Sequence, residues 1–222
     1  MEQTITLERS AVYRGALILV NAEHPLREMD ERGLAAVDIR YPDILIRRCA
    51  ANVLQLILRK ISAGNAIVPV SGYRSSQEQA AIFRHSVQEN GEAFTRKYVA
   101  LPDHSEHQTG LAIDLGLNKD NIDFICPDFP YEGICEGFRR AAPMYGFIQR
   151  YTGAKEKITG ISHEPWHFRY VGYPHSMIMA ENGFSLEEYI LFLKGCQKDR
   201  RLVWRQDNGA VTEVYYVPAA GD

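Results

Sequence analysis

The stretch His163-Glu164-Pro165-Trp166-His167 carries two histidines four residues apart, with a glutamate directly after the first. On a helix that spacing puts both imidazoles on one face, where they hold zinc while the glutamate serves as general base. Pro165 argues against such a helix. It removes a backbone donor and clashes with the carbonyl four residues back, and it pushes Glu164 out of helical φ/ψ. The residues that follow, Trp166, Phe168, Tyr170 and Val171, favour strands. The stretch therefore reads as a loop turning into a strand. His163 is then a loop histidine, Glu164 is expected at the rim before regular pairing begins, and His167 is expected on the inward face.

A second unusual segment runs from Ser105 to Leu117. From Leu111 it alternates: Leu111, Ile113, Leu115 and Leu117 share one face, and Ala112, Asp114 and Gly116 share the other. A carboxylate inside such a strand is costly unless it is partnered. A metal, an arginine or backbone donors would each satisfy it. Taken together, the two segments offer His107, Asp114 and His167, with Glu164 beside them. Two imidazoles, one carboxylate and an open fourth position make a catalytic zinc site. Zinc lowers the pKa of bound water toward neutrality. Glu164 would accept that water's proton and deliver it to a leaving amine. His104 is a rival ligand, ranked behind His107 because it precedes the polar turn instead of facing Asp114.

These residues need elements to position them. Val12 to Val20 reads as a strand. Asp43 to about Ile61 reads as a helix on the period of Ile46, Ala50, Val53, Ile57 and Ile61. Asn65 to Val70 reads as a short strand ending in Ser71-Gly72-Tyr73-Arg74. Ser75-Ser76-Gln77-Glu78 is a capping box opening a helix that stops at Asn90-Gly91. Thr95 to Ser105 reads as a polar surface loop, Gly110 to Leu117 as a strand, and Tyr131 to Tyr145 as a helix weakened late by Pro143. Gly146 to Tyr151 and Trp166 to Val171 read as strands. Ser185-Leu186-Glu187-Glu188 caps a helix running to about Cys196. Two β-rich runs flank Asp207-Asn208-Gly209, a hairpin signal. Strands and helices do not alternate strictly, so the expected class is α+β: a single domain with a central, mainly antiparallel sheet, flanking helices and the zinc site on the sheet. The expected division is one zinc-site domain over 1–200 and a C-terminal hairpin appendage over 201–222.

Composition narrows the function. Charged residues make up 24% of the 222 and the net charge is -3, so no electrostatic footprint for nucleic acid is present. Cys49, Cys126, Cys135 and Cys196 contain no C-x-x-C pair, which speaks against a structural zinc cluster. The N-terminus MEQTITLERS lacks an apolar signal core, and Ala16 to Val20 is too short to span a bilayer. The expectation is a cytoplasmic protein without a membrane anchor.

At this point a family resemblance enters. Ser105-x-His107-x-x-Gly110-x-Ala112-x-Asp114, followed by Glu164-x-x-His167 and preceded by Ser71-Gly72-Tyr73-Arg74, resembles the signature of the zinc D-alanyl-D-alanine peptidases of the VanX, VanY and VanXY types. The segment Thr95 to Pro102 looks most like the VanXY type. The resemblance spans about Ile67 to Gly172. It implies one zinc per chain on His107, Asp114 and His167, Glu164 as the base, and Arg74 as the group that stabilises the oxyanion and holds substrate. It implies that Ser105 hydrogen-bonds the substrate near the scissile bond and that Gln79 sets specificity near the substrate's C-terminus. The implied substrates are the D-Ala-D-Ala dipeptide and muramyl pentapeptide precursors. An L,D-carboxypeptidase or endolysin-like endopeptidase on the same scaffold is the alternative, and a non-catalytic zinc-stabilised binding domain is the alternative of another class.

Overall fold

The computed structural model describes residues 5–28, 31–206 and 208–219. Strands β1 (Leu34–Asp38) and β2 (Tyr41–Arg47) form an antiparallel hairpin. The chain then enters helix α1 (Arg48–Lys60), which buries Ala50, Ala51, Leu54 and Ile57 on one face. Strand β3 (Ile67–Ser71) leads to α2 (Ser76–Asn90) and α3 (Glu92–Tyr98). A short 3-10 turn (Glu106–Thr109) precedes β4 (Ala112–Leu117). Helix α4 (Gly133–Ala141), β5 (Phe147–Tyr151), the single-turn helix α5 (Glu156–Thr159) and β6 (Glu164–Tyr170) follow. Helices α6 (His175–Asn182) and α7 (Leu186–Lys194) come next, and a hairpin of β7 (Leu202–Arg205) and β8 (Val211–Val214) closes the chain.

The central sheet has the order β3-β4-β6-β5, and all its pairs are antiparallel. Ile113 and Leu115 of β4, Phe147 of β5 and Phe168 of β6 are fully buried against α1 and α4. Phe129, Phe138 and Phe168 meet edge to face, with ring centroids 4.9 to 5.9 Å apart, the arrangement aromatic quadrupoles favour. A smaller cluster joins Ile148 and Val171 to Ile178, Met179, Leu186 and Tyr189 of α6 and α7, and Leu202, Trp204 and Val214 of the tail hairpin pack on it. This is the α+β, mainly antiparallel single domain that the sequence implies. Among the described residues no helix is long and apolar enough to cross a membrane.

Several elements differ from the sequence reading. Val12 to Val20 is not a strand: a 3-10 turn covers Arg9–Tyr13, and the carbonyls of Ala16 and Ile18 accept from the Arg169 side chain instead of from a neighbouring strand. The expected helix from Asp43 begins only at Arg48, because Tyr41–Arg47 pairs with β1. The expected loop from Thr95 includes the last turn of α3, where Thr95 is buried and bonded to Ser86 and the Gly91 carbonyl. The helix at Tyr131 starts at Gly133 and passes into a 3-10 turn at Ala142, with Pro143 in its first turn. Both capping boxes form as read, at Ser75 and Ser185. In the tail turn, Asp207 lies outside the described residues.

The β1–β2 hairpin leans on the end of β3. The Leu45 carbonyl accepts from Tyr73 N–H at 2.6 Å, and a Cβ on Gly72 would overlap that carbonyl oxygen. Only glycine lets the two backbones approach this closely. Gly72→Ala is therefore expected to cost about 1–3 kcal/mol in a urea melt, the usual penalty for forcing atoms into a packed site. Phe168→Ala, which removes a ring that meets both Phe129 and Phe138, is expected to cost about 3–5 kcal/mol in the same measurement. Unchanged midpoints would contradict both packing arguments.

Candidate active site

The register of β4 on β6 sets Asp114 directly opposite His167. Opposed residues share a face, so the carboxylate and imidazole meet: His167 Nδ1 lies 2.9 Å from Asp114 Oδ1. His107 comes from the 3-10 turn ahead of β4. Gly110 ends that turn in the left-handed region at φ +68°, and a Cβ there would come within 2.7 Å of Leu34 Cδ2. The reversal brings His107 Nε2 to 3.0 Å from Asp114 Oδ2. One ligand atom from each of His107, Asp114 and His167 lies within 4.8 Å of the others, and all three residues are buried. Two imidazole nitrogens and a carboxylate are the donor chemistry that suits zinc.

The other ring nitrogen of His107 is also fixed. Nδ1 sits 2.6 Å from the Gly72 carbonyl oxygen. A carbonyl only accepts, so Nδ1 carries the proton and Nε2 keeps its lone pair toward Asp114. The Gly72 carbonyl thus orients this imidazole.

Glu164 is the first residue of β6 and pairs with Tyr151, so the expectation that it precedes the strand is corrected. The pairing of β5 with β6 is interrupted just after it: between Gln149↔Phe168 and Tyr151↔Glu164, Arg150 alone faces Pro165, Trp166 and His167. Such a bulge bends the strand, and Pro165 sits in it. The bend brings Glu164 Oε2 to 3.7 Å from His167 Nδ1, three positions along the strand.

Arg74 follows β3 into the same cleft. Its Nε donates to Ser71 Oγ at 3.0 Å, its Nη1 to Gln79 Oε1 at 3.0 Å and its Nη2 to Asp114 Oδ2 at 3.2 Å. Gln79 is fully buried and donates its amide to the Ala100 carbonyl at 2.7 Å, so both ends of its side chain are committed. Ser105 is buried at the start of the 3-10 turn and lines the cleft with Tyr151 and Trp166. His104 is not part of the donor group; its Nδ1 is bonded to the Asn21 carbonyl. His163 stacks on Tyr131 and bonds to its hydroxyl, away from the donors.

Burial governs the electrostatics. It pushes Glu164 up to about 8, reinforced by the Asp114 and Glu106 carboxylates and opposed by His167 and Arg74. Burial, with Arg74 nearby, drives His107 down to about 4, so its imidazole is neutral at working pH. Burial works against a charge on His167 too, yet hydrogen bonds to Asp114 and Glu106 outweigh it and raise the group to about 9. Burial likewise opposes the Asp114 charge, and the two imidazoles overcome it, holding that carboxyl well below its ordinary range.

Sequence reasoning missed the layer behind these groups. Glu106, Arg150 and Arg169 are all buried, and both arginines pair with Glu106: Arg150 Nε donates to Glu106 Oε1 at 2.8 Å, and Arg169 Nη1 lies 2.9 Å from the same oxygen. Arg169 stands directly across from Ala112 in the β4–β6 pairing. The available signal was an arginine within each of two strands otherwise rich in aromatic residues, Phe147–Tyr151 and Trp166–Tyr170.

A profile of the VanY family, D-alanyl-D-alanine carboxypeptidase, matches residues 43–173. The bifunctional D-Ala-D-Ala dipeptidase and D-Ala-D-Ala carboxypeptidase VanXYC of Enterococcus gallinarum is 42% identical over 175 residues, covering 78% of this chain and 92% of that protein. Among solved structures, the vancomycin resistance D,D-dipeptidase VanXYg in complex with a D-Ala-D-Ala phosphinate analog superposes with a TM-score of 0.95 at 67% identity, covering 96% of this chain and 85% of that one. The D,D-pentapeptidase VanY from the VanB-type resistance cassette, in complex with Zn(II), superposes with a TM-score of 0.62 at 29% identity, covering 79% and 98%. The profile spans every strand of the central sheet and all the residues grouped around Asp114. The chain belongs to the VanY family of D-alanyl-D-alanine carboxypeptidases and is of its VanXY type.

Proposed function

We propose that this protein is a zinc-dependent D,D-peptidase that cleaves free D-Ala-D-Ala and trims terminal D-Ala from muramyl pentapeptide precursors. The observation that carries this reading is the meeting, in one buried cleft, of a His107–Asp114–His167 donor group, a carboxylate of raised pKa and a guanidinium. One zinc per chain would be held by His107, Asp114 and His167. When bound, zinc supplies Lewis-acid polarisation of the scissile carbonyl and lowers the pKa of water.

The remaining steps belong to the protein's own groups. Glu164, desolvated and therefore more basic than an exposed carboxylate, takes a proton from the attacking water at its carboxylate oxygen and passes it to the leaving amine nitrogen. Arg74 stabilises the negative charge that develops on the carbonyl oxygen and holds the substrate. Its three anchors, Ser71, Gln79 and Asp114, fix the guanidinium in advance, so little reorganisation is needed during reaction. Gln79 acts on specificity at the substrate's C-terminal end through its grip on Arg74. Ser105, on the cleft wall, hydrogen-bonds the substrate near the scissile bond.

D-alanine release from D-Ala-D-Ala and from a muramyl pentapeptide is expected with zinc and not with a chelator. Activity confined to L,D-linked peptides would replace this reading with the L,D-carboxypeptidase one. Glu164→Ala is expected to lower kcat by roughly two to four orders of magnitude while zinc stays bound; full turnover in that variant would point to a binding domain. Because His167 is raised to about 9, zinc must displace its proton at neutral pH. Zinc affinity should therefore climb about tenfold per pH unit from 7 and level off near that value. A flat profile over this range would show that His167 does not carry the displaced proton.

A further inference from the structure

Beneath His167 lies a buried group of charges that the proposed reaction does not use. Glu106 is 2% exposed. Its Oε1 accepts from Arg150 Nε and forms an ion pair with Arg169 Nη1 at 2.9 Å. Its Oε2 sits 3.5 Å from His167 Nε2. On the opposite side of the same ring, Nδ1 faces Asp114 at 2.9 Å and Glu164 at 3.7 Å. A neutral imidazole offers a lone pair at one nitrogen only when the other holds the proton, and the hydrogen bond made by the second nitrogen selects the tautomer.

We propose that Glu106 is a positioning residue of the metal centre: it accepts the Nε2–H of His167 and so directs the Nδ1 lone pair at the His107–Asp114 group. This inference rests on the zinc reading above. His107 shows the same arrangement with a neutral acceptor, its Nδ1–H meeting the Gly72 carbonyl. For His167 the acceptor is a carboxylate, oriented by two guanidinium groups. Those groups are anchored in turn. Arg150 forks onto both carboxylate oxygens of Glu187 on α7 at 2.9 and 2.6 Å, and Arg169 Nη2 donates to the carbonyls of Ala16 and Ile18. Ala16, Ile18 and Glu187 lie outside the 43–173 family match, so segments beyond it brace a ligand inside it.

The test compares Glu106→Gln with Glu187→Gln. Zinc affinity is measured by competition with a chromophoric chelator, and folding is checked by circular dichroism. E106Q is expected to weaken zinc binding about 10- to 100-fold, the range for loss of an outer partner of a metal-bound histidine. E187Q loosens the brace one contact further out, without touching His167, and is expected to weaken zinc binding by a clearly smaller factor than E106Q. Wild-type affinity in E106Q, or equal losses in both variants, would overturn the proposal. Should E106Q fail to fold, long-range proton–nitrogen NMR of the zinc-loaded wild type decides. A proton on His167 Nε2 with a metal-shifted Nδ1 supports the assignment, and the reverse tautomer sinks it. A wild-type chain that binds no zinc would remove the zinc reading itself, whereas tight binding unaffected by E106Q would remove this inference alone.

Discussion

Everything at the site depends on one register, the pairing of β4 with β6 that puts Asp114 across from His167. The same register seats Ile113 across from Phe168, on the face that packs against α1 and α4. A slip of β6 by one residue would turn His167 into the aromatic core and Phe168 out of it, and Asp114 would lose its partner. The apolar face therefore does more than stabilise the sheet. Ile113, Leu115 and Phe168 make the slipped pairing untenable, and so they hold the polar face in alignment as well.

The polar face is unusual in how many charges it buries. Glu106, Asp114, Arg150, Glu164 and Arg169 are all 5% exposed or less. Isolated, any of them would be strongly unfavourable. Their arrangement alternates sign from α7 through Glu187, Arg150 and Glu106, and from the N-terminal segment through Arg169. Buried ion pairs are weak sources of net stability. What they supply is direction: each side chain has a fixed partner and hence a fixed orientation, which a water-filled cleft would not impose.

Much of this was legible in the residues. The Pro165 argument correctly excluded a helix at His163–His167, and alternation correctly sorted Ile113 and Leu115 from Asp114. The capping boxes at Ser75 and Ser185 were read directly, because they are local hydrogen-bond patterns. The failures share a cause. Tyr41–Arg47 continues the helical period of α1 yet pairs as a strand, because β1 offers a ladder that no local pattern announces. The segment at Ala16 and Ile18 has strand composition, yet its carbonyls are claimed by Arg169, some 150 residues away. Glu106 carries no local signal of its role, because both of its arginines arrive from distant strands. Non-local partners, not weak propensities, were what one-dimensional reading lacked.

His107 and Asp114 are neighbours along the sequence, joined by one turn, while His167 lies 53 residues beyond Asp114. Closing so long a loop is paid in chain entropy before its contacts repay it. A folding chain thus holds at most a two-donor fragment until β6 docks, and an ion on that fragment would lack the third donor. The three-donor group forms only together with the aromatic core. On the zinc reading, the completed sheet would therefore be the precondition for tight metal capture.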